Sequence, residues 1–461
     1  MNPFIDLWHP YALAWLPTMT LAEAASEESY SEAVVATLLI TAGLAFITSV
    51  LLGKLCDRLN LPAVLGDLAA GVVLGGSVLG ILVFSADGPA VNGVLLSCLK
   101  LTTGAPTETV MSAYRFEMDA FIHESANIGL LTLLFVTGLE SNLKELIQVG
   151  SQAATVATTG VLLPFALGTI TLIAVFHLPI VPAIFAGAAL TATSIGITAK
   201  VLQEMGQLQS QEGQIILGAA ILDDILGIVI LALVLSLAET GEIELASLVT
   251  LLASAVGFVL LAVLLNRYFC PIFSAVVERF KDPAALLLLS LAFLNALALL
   301  AVALGLEALL GAFAAGLVLS GTRRKEELMQ LIQPFVYVYT TIFFVTIGAS
   351  VNLSVLNPFD PANRAGLIVA GCLIAIAILG KVVAGFVVFS NKPVNRWVIG
   401  AGMIPRGEVG LVFAGLGAST GILSDSLDAA VIIMVIATTL IAPLLLKTLF
   451  PDPNPQEAVS L

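Results

Sequence analysis

Long apolar runs, separated by short polar stretches, follow one another along nearly the whole chain. Most of these runs reach the roughly 20 residues that a helix needs to cross a bilayer. Backbone polar groups inside a membrane must be bonded within the chain, so the runs predict helices. The pattern predicts an all-α polytopic membrane protein with about thirteen transmembrane helices. Their approximate limits are 31–54, 61–84, 124–140, 150–176, 180–201, 213–238, 243–267, 284–304, 306–321, 334–351, 364–390, 396–418 and 427–449.

Two motifs of the first half return in the second half. GDLAAGVVLGG, at residues 66–76, reappears as GAFAAGLVLSG at 311–321, and the two match at seven of eleven positions. FVTGLESNL, at 135–143, reappears as FVTIGASVNL at 344–353. The unequal offsets indicate an insertion in the first half at about 85–123, which is predicted to be external. The repeated spans lie an odd number of crossings apart, so the halves are inverted, as in many secondary transporters.

Basic residues lie mainly on one side of the predicted helices, which is therefore expected to face the cytoplasm. The other side carries Lys100, Arg115 and Arg364. The N-terminus is thus predicted outside and the C-terminus inside, which requires an odd number of spans. The thirteen residues of the crowded side are Lys54, Arg58, Lys144, Lys200, Arg267, Arg279, Lys281, Arg323, Arg324, Lys325, Lys392, Arg396 and Lys447.

The composition agrees with an integral membrane protein whose main partner is lipid. The chain is 59% hydrophobic and 11% charged, with a mean hydropathy of +1.06, whereas soluble domains are about 25% charged. The net charge of −14 argues against a nucleic-acid partner. The predicted units are an external N-terminal segment (1–30), scaffold or dimerisation helices (31–140), core helices (150–238), a linker helix (243–267), second scaffold helices (284–351), second core helices (364–449) and a short cytoplasmic tail (450–461).

Two adjacent aspartates, Asp223 and Asp224, lie near the middle of the span at 213–238. An aspartate at the bilayer centre costs about 2.5–3.5 kcal/mol on insertion scales, and two neighbours also repel each other. Intramembrane acids usually face a water-filled path, so the pair is the leading candidate for binding ions and protons. The alternative is a structural pair neutralised by a basic partner.

A lysine lies at similar depth in the other half of the chain. Lys381 is near the middle of the span at 364–390. An isolated lysine in a membrane needs an acidic partner or loses its proton. Asp223 and Asp224 are the first candidates for that partner, and Glu408 is the competitor.

Two spans have sequences that favour a broken helix. Thr193 and Ser194 lie in a polar stretch of span five. In span twelve, Arg406 and Glu408 follow Pro405, which removes a helix hydrogen bond. Inverted-repeat transporters bind ions where such broken helices cross. The alternatives are hydroxyls that bond their own helix and a structural ion pair that closes the break.

Oxygen ligands of these types suit a hard cation such as Na⁺. A carboxylate that binds either Na⁺ or H⁺, but not both, would exchange the two ions if it faced each side of the membrane in turn. The ionisable groups at such a site titrate as a coupled set. The residues alone leave open which aspartate binds the ion.

Taken together, the Asp223–Asp224 pair after GAAIL, the preceding Thr-Ala-Thr-Ser stretch, Lys381 and Pro-Arg-Gly-Glu at 405–408 resemble the monovalent cation:proton antiporter-2 family, with a cyanobacterial-type appearance. The resemblance covers about residues 31–450. It implies the sodium/proton antiporter fold with two crossing broken helices, a homodimer and electrogenic exchange. It also implies that Asp224 binds the ion and that Asp223 pairs with Lys381.

Other functions remain as alternatives to Na⁺/H⁺ exchange. A K⁺/H⁺ antiporter would use the same scaffold, although the potassium branch carries a nucleotide-binding domain that is not expected here. An intramembrane aspartyl protease needs two carboxylates that face each other, whereas neighbours on one helix point about 100° apart. A channel is the third alternative. We expect no enzymatic activity and no cofactor, and a bacterial plasma membrane or thylakoid location.

Overall fold

The protein is a bundle of helices, and this computed structural model describes residues 24–84, 91–240, 245–280, 282–351, 353, 361–389, 393–406, 410, 413, 417, 420 and 422–450. The first half contains α1 (Ala24–Arg58), α2 (Val64–Leu74), α3 (Gly93–Thr103), α4 (Thr107–Phe116), α5 (His123–Glu140), α6 (Leu143–Gln148), α7 (Gly150–Ala174), α8 (Ile180–Ala189), α9 (Ile195–Glu204) and α10 (Gln211–Thr240). A single long helix, α11 (Leu245–Phe280), joins the halves. The second half contains α12 (Pro283–Ala303), α13 (Ala308–Leu319), α14 (Lys325–Ala349), α15 (Pro361–Phe386), α16 (Arg396–Gly402) and α17 (Asp425–Leu449).

Each of the thirteen predicted spans overlaps at least one of these helices. Nine helices in the described part of the chain are long and apolar enough to cross a membrane. The remaining four spans correspond to α2, the α8–α9 pair, α13 and α16, which are shorter or interrupted. Apart from one isolated β-bridge between Gly75 and Leu82, the described residues contain no strand pairing. The predicted all-helical fold class is confirmed.

The sequence repeat corresponds to a repeated packing contact. Gly71 of α2 lies against Gly348 of α14, and Gly316 of α13 lies against Gly138 of α5. Gly71 and Gly316 are equivalent in the first motif, and Gly138 and Gly348 are equivalent in the second. A Cβ added at Gly316 or Gly138 would overlap a backbone carbonyl oxygen of the facing helix. Each half therefore supplies one helix to each of two equivalent close contacts, in which only glycine fits.

The helices pack as two groups. In the first, which we call the scaffold, α5 packs on α13 and α14, α2 on α1 and α14, and α12 on α13. In the second, which we call the core, α7 packs on α8, α10 and α15, and α15 packs on α16 and α17. Apolar residues from α2, α14 and α17 line a small cavity of about 30 Å³ between the two groups. The scaffold comprises α1–α5 and α11–α14, and the core comprises α7–α10 and α15–α17.

The largest departure from the predicted boundaries lies in the insertion at 85–123. Instead of a loop before a span beginning at 124, α4 continues through a π-helical turn (Glu117–Ile122) into α5 without a break. The Tyr114 hydroxyl accepts a hydrogen bond from the Val83 backbone N–H and donates one to the Ile81 carbonyl. These bonds and the packing of α4 on α1 attach the insertion to the scaffold, which the polar sequence of this stretch did not indicate.

Candidate functional site

The helix predicted at 180–201 breaks near the middle of the core. α8 ends at Ala189, residues 192–194 are not helical, and α9 begins at Ile195. The Thr191 hydroxyl and backbone N–H donate to the Ala188 carbonyl at 2.7 and 3.0 Å, so Thr191 bonds back to the last turn of α8. The predicted break is present, and it frees backbone groups of span five for contacts with another element.

That element is the second broken span. α16 ends at Gly402, residues 404–406 are not helical, and Gly410, Phe413 and Gly417 are again helical. The Ser194 N–H donates to the Pro405 carbonyl at 2.8 Å, and the Thr193 hydroxyl donates to the Met403 carbonyl at 3.2 Å. The two breaks therefore cross in direct contact and satisfy each other's backbone groups.

Arg406 lies at the centre of this crossing and is fully buried. Its guanidinium donates to the Leu190 carbonyl at 2.5 Å and to the Met403 and Ile404 carbonyls at 3.2 and 3.3 Å. These carbonyls belong to the C-terminal ends of α8 and α16, where a helix carries partial negative charge. Arg406 therefore compensates two helix ends at once. Glu408, its predicted neighbour in the site, lies outside the described residues.

A buried ion pair links α10 to α15. The Lys381 Nζ lies 2.8 Å from the Asp223 Oδ1, and neither side chain is exposed to solvent. The other carboxylate oxygen of Asp223 is buried without a hydrogen-bond partner in the described part of the chain. Breaking a buried pair leaves an uncompensated charge, so the two residues depend on each other. This is the pairing that the family resemblance implies.

Asp224 follows Asp223 on α10 but has a different environment. Successive residues of a helix point about 100° apart, and Asp224 is partly exposed whereas Asp223 is buried. Asp224 and Arg406 both lie within electrostatic range of the Lys381 ammonium. The geometry thus distinguishes the adjacent aspartates: Asp223 is fully buried against Lys381, and Asp224 is partly exposed.

A glycine on α7 makes room for the lysine. A Cβ at Gly160 would lie 3.3 Å from the Lys381 Cδ and 3.4 Å from its Nζ. The neighbouring Gly380 of α15 lies against Pro164 of α7 in a similarly close contact. Small residues on both helices therefore let the lysine side chain pass between them and reach Asp223.

Two site residues escaped the sequence reasoning. The Thr198 hydroxyl, on α9, donates to the Gly402 carbonyl at 2.8 Å, and the Thr439 hydroxyl, on α17, donates to the Arg406 carbonyl. Both are fully or nearly fully buried. The adjacent threonines at 438–439, in an otherwise apolar span, were the available signal for the second.

The crossing broken helices and the buried charge pair define a secondary transporter with the antiporter fold. The sequence model of a family described as "Sodium/hydrogen exchanger, transmembrane" matches residues 44–451. The chain belongs to this family, and the predicted relationship to cation:proton antiporters is confirmed.

Relatives and a solved structure agree with this assignment. The high-affinity Na(+)/H(+) antiporter NhaS3 of Synechocystis sp. is 47% identical over 460 residues, which cover 99% of this chain and 98% of that protein. The Na(+)/H(+)-K(+) antiporter GerN of Bacillus cereus is 30% identical over 88% of this chain and 95% of its own length. The sodium proton antiporter MjNhaP1 from Methanocaldococcus jannaschii at pH 8 superimposes with a TM-score of 0.59 and 19% identity, over 89% of this chain and 97% of that chain. The match to MjNhaP1 shows a shared fold.

Proposed function

We propose that this multi-pass membrane protein exchanges Na⁺ for H⁺, with Li⁺ as a second candidate cation, and that Asp224 is the carboxylate for which cation and proton compete. The observation that carries this proposal is the difference between the two aspartates: Lys381 is bonded to Asp223 at 2.8 Å, whereas Asp224 is partly exposed. Na⁺ is a hard cation that takes oxygen ligands, and a carboxylate supplies both such a ligand and a proton acceptor.

The ion pair serves as the coupling element in this mechanism. Lys381 holds Asp223 in one state and releases it in another, so that ion or proton binding at Asp224 changes the balance of charge in the core. Thr193 and Ser194 supply oxygen atoms beside the site, and Arg406 and Glu408 keep the crossing in place. Paired aspartates support electrogenic exchange, as the resemblance implies.

Exchange then requires the site to face each side of the membrane in turn. The separation of the helices into a core and a scaffold, with a small apolar cavity between them, supports movement of the core against the scaffold. The site residues Asp223, Asp224, Lys381 and Arg406 all belong to the core. Moving the core carries the bound ion without rebuilding its ligand set.

The orientation follows from the basic residues, with the N-terminus outside and the C-terminus in the cytoplasm. We place the protein in a bacterial plasma membrane or a thylakoid membrane and expect a homodimer formed through the scaffold. The antiporter names of the relatives support a transporter, and we expect neither enzymatic activity nor a resident cofactor.

The proposal is tested with everted membrane vesicles from a bacterial host that lacks its own antiporters. We expect added Na⁺ to collapse an imposed pH gradient and Asp224→Asn to abolish this response. Asp282→Asn is the matched control, because Asp282 is exposed and caps α12 with a hydrogen bond that asparagine also makes. An unchanged response in Asp224→Asn would overturn the site assignment.

The same vesicles distinguish the alternatives. Collapse by K⁺ and not by Na⁺ would favour the K⁺/H⁺ antiporter, an alternative suggested by the relative GerN, a Na(+)/H(+)-K(+) antiporter. Single-channel currents would indicate a channel, and cleavage of a transmembrane peptide would indicate a protease. Asp223→Asn and Lys381→Ala, measured beside Asp224→Asn, test whether the two aspartates differ in role.

A further inference from the structure

The C-terminal end of α9, in the core, contacts the scaffold through residues that have no role in the proposed ion site. The Glu204 Oε2 accepts a hydrogen bond from the backbone N–H of Ala63 at 2.9 Å. Ala63 stands at the N-terminal cap position of α2, and its own side chain provides no cap. A carboxylate from the core therefore caps a scaffold helix, where it also meets the positive end of the helix dipole.

The residue beside Glu204 makes a second connection. The Gln203 Nε2 donates to the Glu140 Oε1 at 3.3 Å, and the Gln209 Nε2 donates to the Glu140 carbonyl at 3.3 Å. Glu140 is the last residue of α5, in the scaffold. We call Gln203 and Glu204, with their partners Glu140 and Ala63, the latch.

Lys200 supports the latch from one turn earlier on α9. Its Nζ lies 3.7 Å from the Glu204 Oε1 and 5.8 Å from the ring centroid of Tyr337, on scaffold helix α14. The end of α9 thus contacts α2, α5 and α14 together. These contacts join elements that the proposed mechanism requires to move past each other.

We propose that Glu204 is a positioning residue that holds the core to the scaffold at this end of the molecule and must release α2 in each exchange cycle. The inference rests on the proposed Na⁺/H⁺ exchange by movement of the core. Glu204 does not touch the ion. It acts on the step that reorients the site, since α9 runs from the crossing at Ser194 directly to the latch.

The charges around Glu204 give the latch a pH dependence. Lys200 on α9 faces it, as do Asp57 and Cys56 on α1 and Asp67 on α2. Glu204 lies beyond the span predicted at 180–201. Burial raises the pKa of its carboxyl above the ordinary range, against the opposing effects of Lys200 and the backbone N–H groups of α2.

The sign of this dependence follows from linkage. A closed contact that raises the pKa of an acid favours its protonated form, so the closed state is most stable below the carboxyl's ordinary pKa. Its stability falls as the pH rises through the raised pKa, where the ionised group gains by returning to water. We therefore expect the latch to loosen, and exchange to accelerate, as the pH rises through this raised pKa.

Cross-linking tests whether the latch must open. In a background with Cys56, Cys98, Cys270 and Cys372 replaced by serine, Glu140→Cys/Gln203→Cys is joined with a short reducible bis-thiosulfonate. We expect the Na⁺-dependent rate to fall to that of Asp224→Asn and to return on reduction.

Ser274→Cys/Thr322→Cys is the matched control pair. Its two hydroxyls lie 2.8 Å apart, and both residues belong to the scaffold, so its cross-link should leave exchange unchanged. Full exchange by the cross-linked Glu140→Cys/Gln203→Cys protein would overturn the latch alone. A background that shows no Na⁺-dependent response before cross-linking would instead overturn the proposed function, on which the latch rests.

A second measurement addresses Glu204 itself. Glutamine accepts the same hydrogen bond but does not ionise, so Glu204→Gln should flatten the rise of the exchange rate with pH and leave the KM for Na⁺ unchanged. Glu204→Ala, which removes the cap, should change the rate about 2- to 30-fold, the span expected for loss of an N-cap. Glu145→Gln, at an exposed acid of α6, is the control. A wild-type pH profile in Glu204→Gln would contradict the proposal.

Discussion

Replacing Lys381 with methionine keeps most of the side-chain volume but removes the cation that Asp223 contacts at 2.8 Å. Both residues are completely buried, and the nearby Arg406 is already bonded to three backbone carbonyls. The unpaired aspartate in the folded protein must therefore take up a proton. The cost of that proton sets the size of the effect.

The magnitude depends on pH in a defined way. Protonating an aspartate of ordinary pKa, about 3.9, costs about 4 kcal/mol at pH 7 and about 2 kcal/mol at pH 5.5, at about 1.4 kcal/mol per unit. Asp223→Asn has the opposite dependence, because a lysine of ordinary pKa, about 10.4, must then lose its proton. That costs about 5 kcal/mol at pH 7 and about 3 kcal/mol at pH 8.5. Both values at pH 7 agree with the 3–5 kcal/mol typical of a broken buried pair.

The free energy of unfolding is measured by titrating the protein with SDS in dodecylmaltoside micelles between pH 5.5 and 8.5. We expect the cost of Lys381→Met to rise with pH and that of Asp223→Asn to fall. The double variant has no buried charge to neutralise, so its cost should be smaller than either single cost at pH 7 and should vary little with pH. Single costs that both stay constant across this range would refute the argument, since they would mean that the residue left behind keeps its charge in the folded protein.

Further predictions concern packing and hydrogen bonds. Gly316→Ala should lower the free energy of unfolding by about 3 kcal/mol through overpacking, whereas Gly43→Ala, whose Cβ would meet nothing within 4 Å, should be neutral or slightly stabilising in the same SDS titration. Thr198→Val leaves a buried carbonyl of α16 without its donor and should cost about 1–3 kcal/mol; Thr198→Ser, which retains the hydroxyl, should cost less. Gly160→Ala should strain the paired lysine by about 1 kcal/mol and shift the pH profile of exchange in vesicles, whereas Gly150→Ala should not.

Hydropathy and repetition predicted most of the fold because the membrane leaves few alternatives to helices. The repeated GDLAAGVVLGG and FVTGLE motifs marked equivalent helices correctly. They did not reveal that the helices of the GDLAAGVVLGG-type motif, at Gly71 and Gly316, pack against helices that carry the FVTGLE-type motif. A contact between distant segments has no local sequence signal. The continuation of α4 into α5 was missed for a related reason: its polar residues argue against a membrane span, but packing on α1 stabilises a helix there.

The candidate site was predictable where charged side chains meet and less so where the backbone takes part. Asp223, Asp224 and Lys381 stand out because charges are costly in an apolar span. The partners of Arg406 could not be identified in the same way, because its acceptors are carbonyls, which every residue carries. For Thr193 the break was predictable from neighbouring polar residues, but the acceptor on span twelve was not. The contribution of Glu408 stays a prediction.

The long linker helix α11 has a consequence for how such a chain arises. Only 11% of its most apolar stretch is buried inside the protein, so packing against the rest of the chain places few demands on its sequence. Its essential property is that it adds one membrane crossing between the two halves. In the predicted topology, one crossing between two six-span halves makes them antiparallel, and a tandem duplication without it would produce parallel copies that could not make the glycine contacts of α2 and α13.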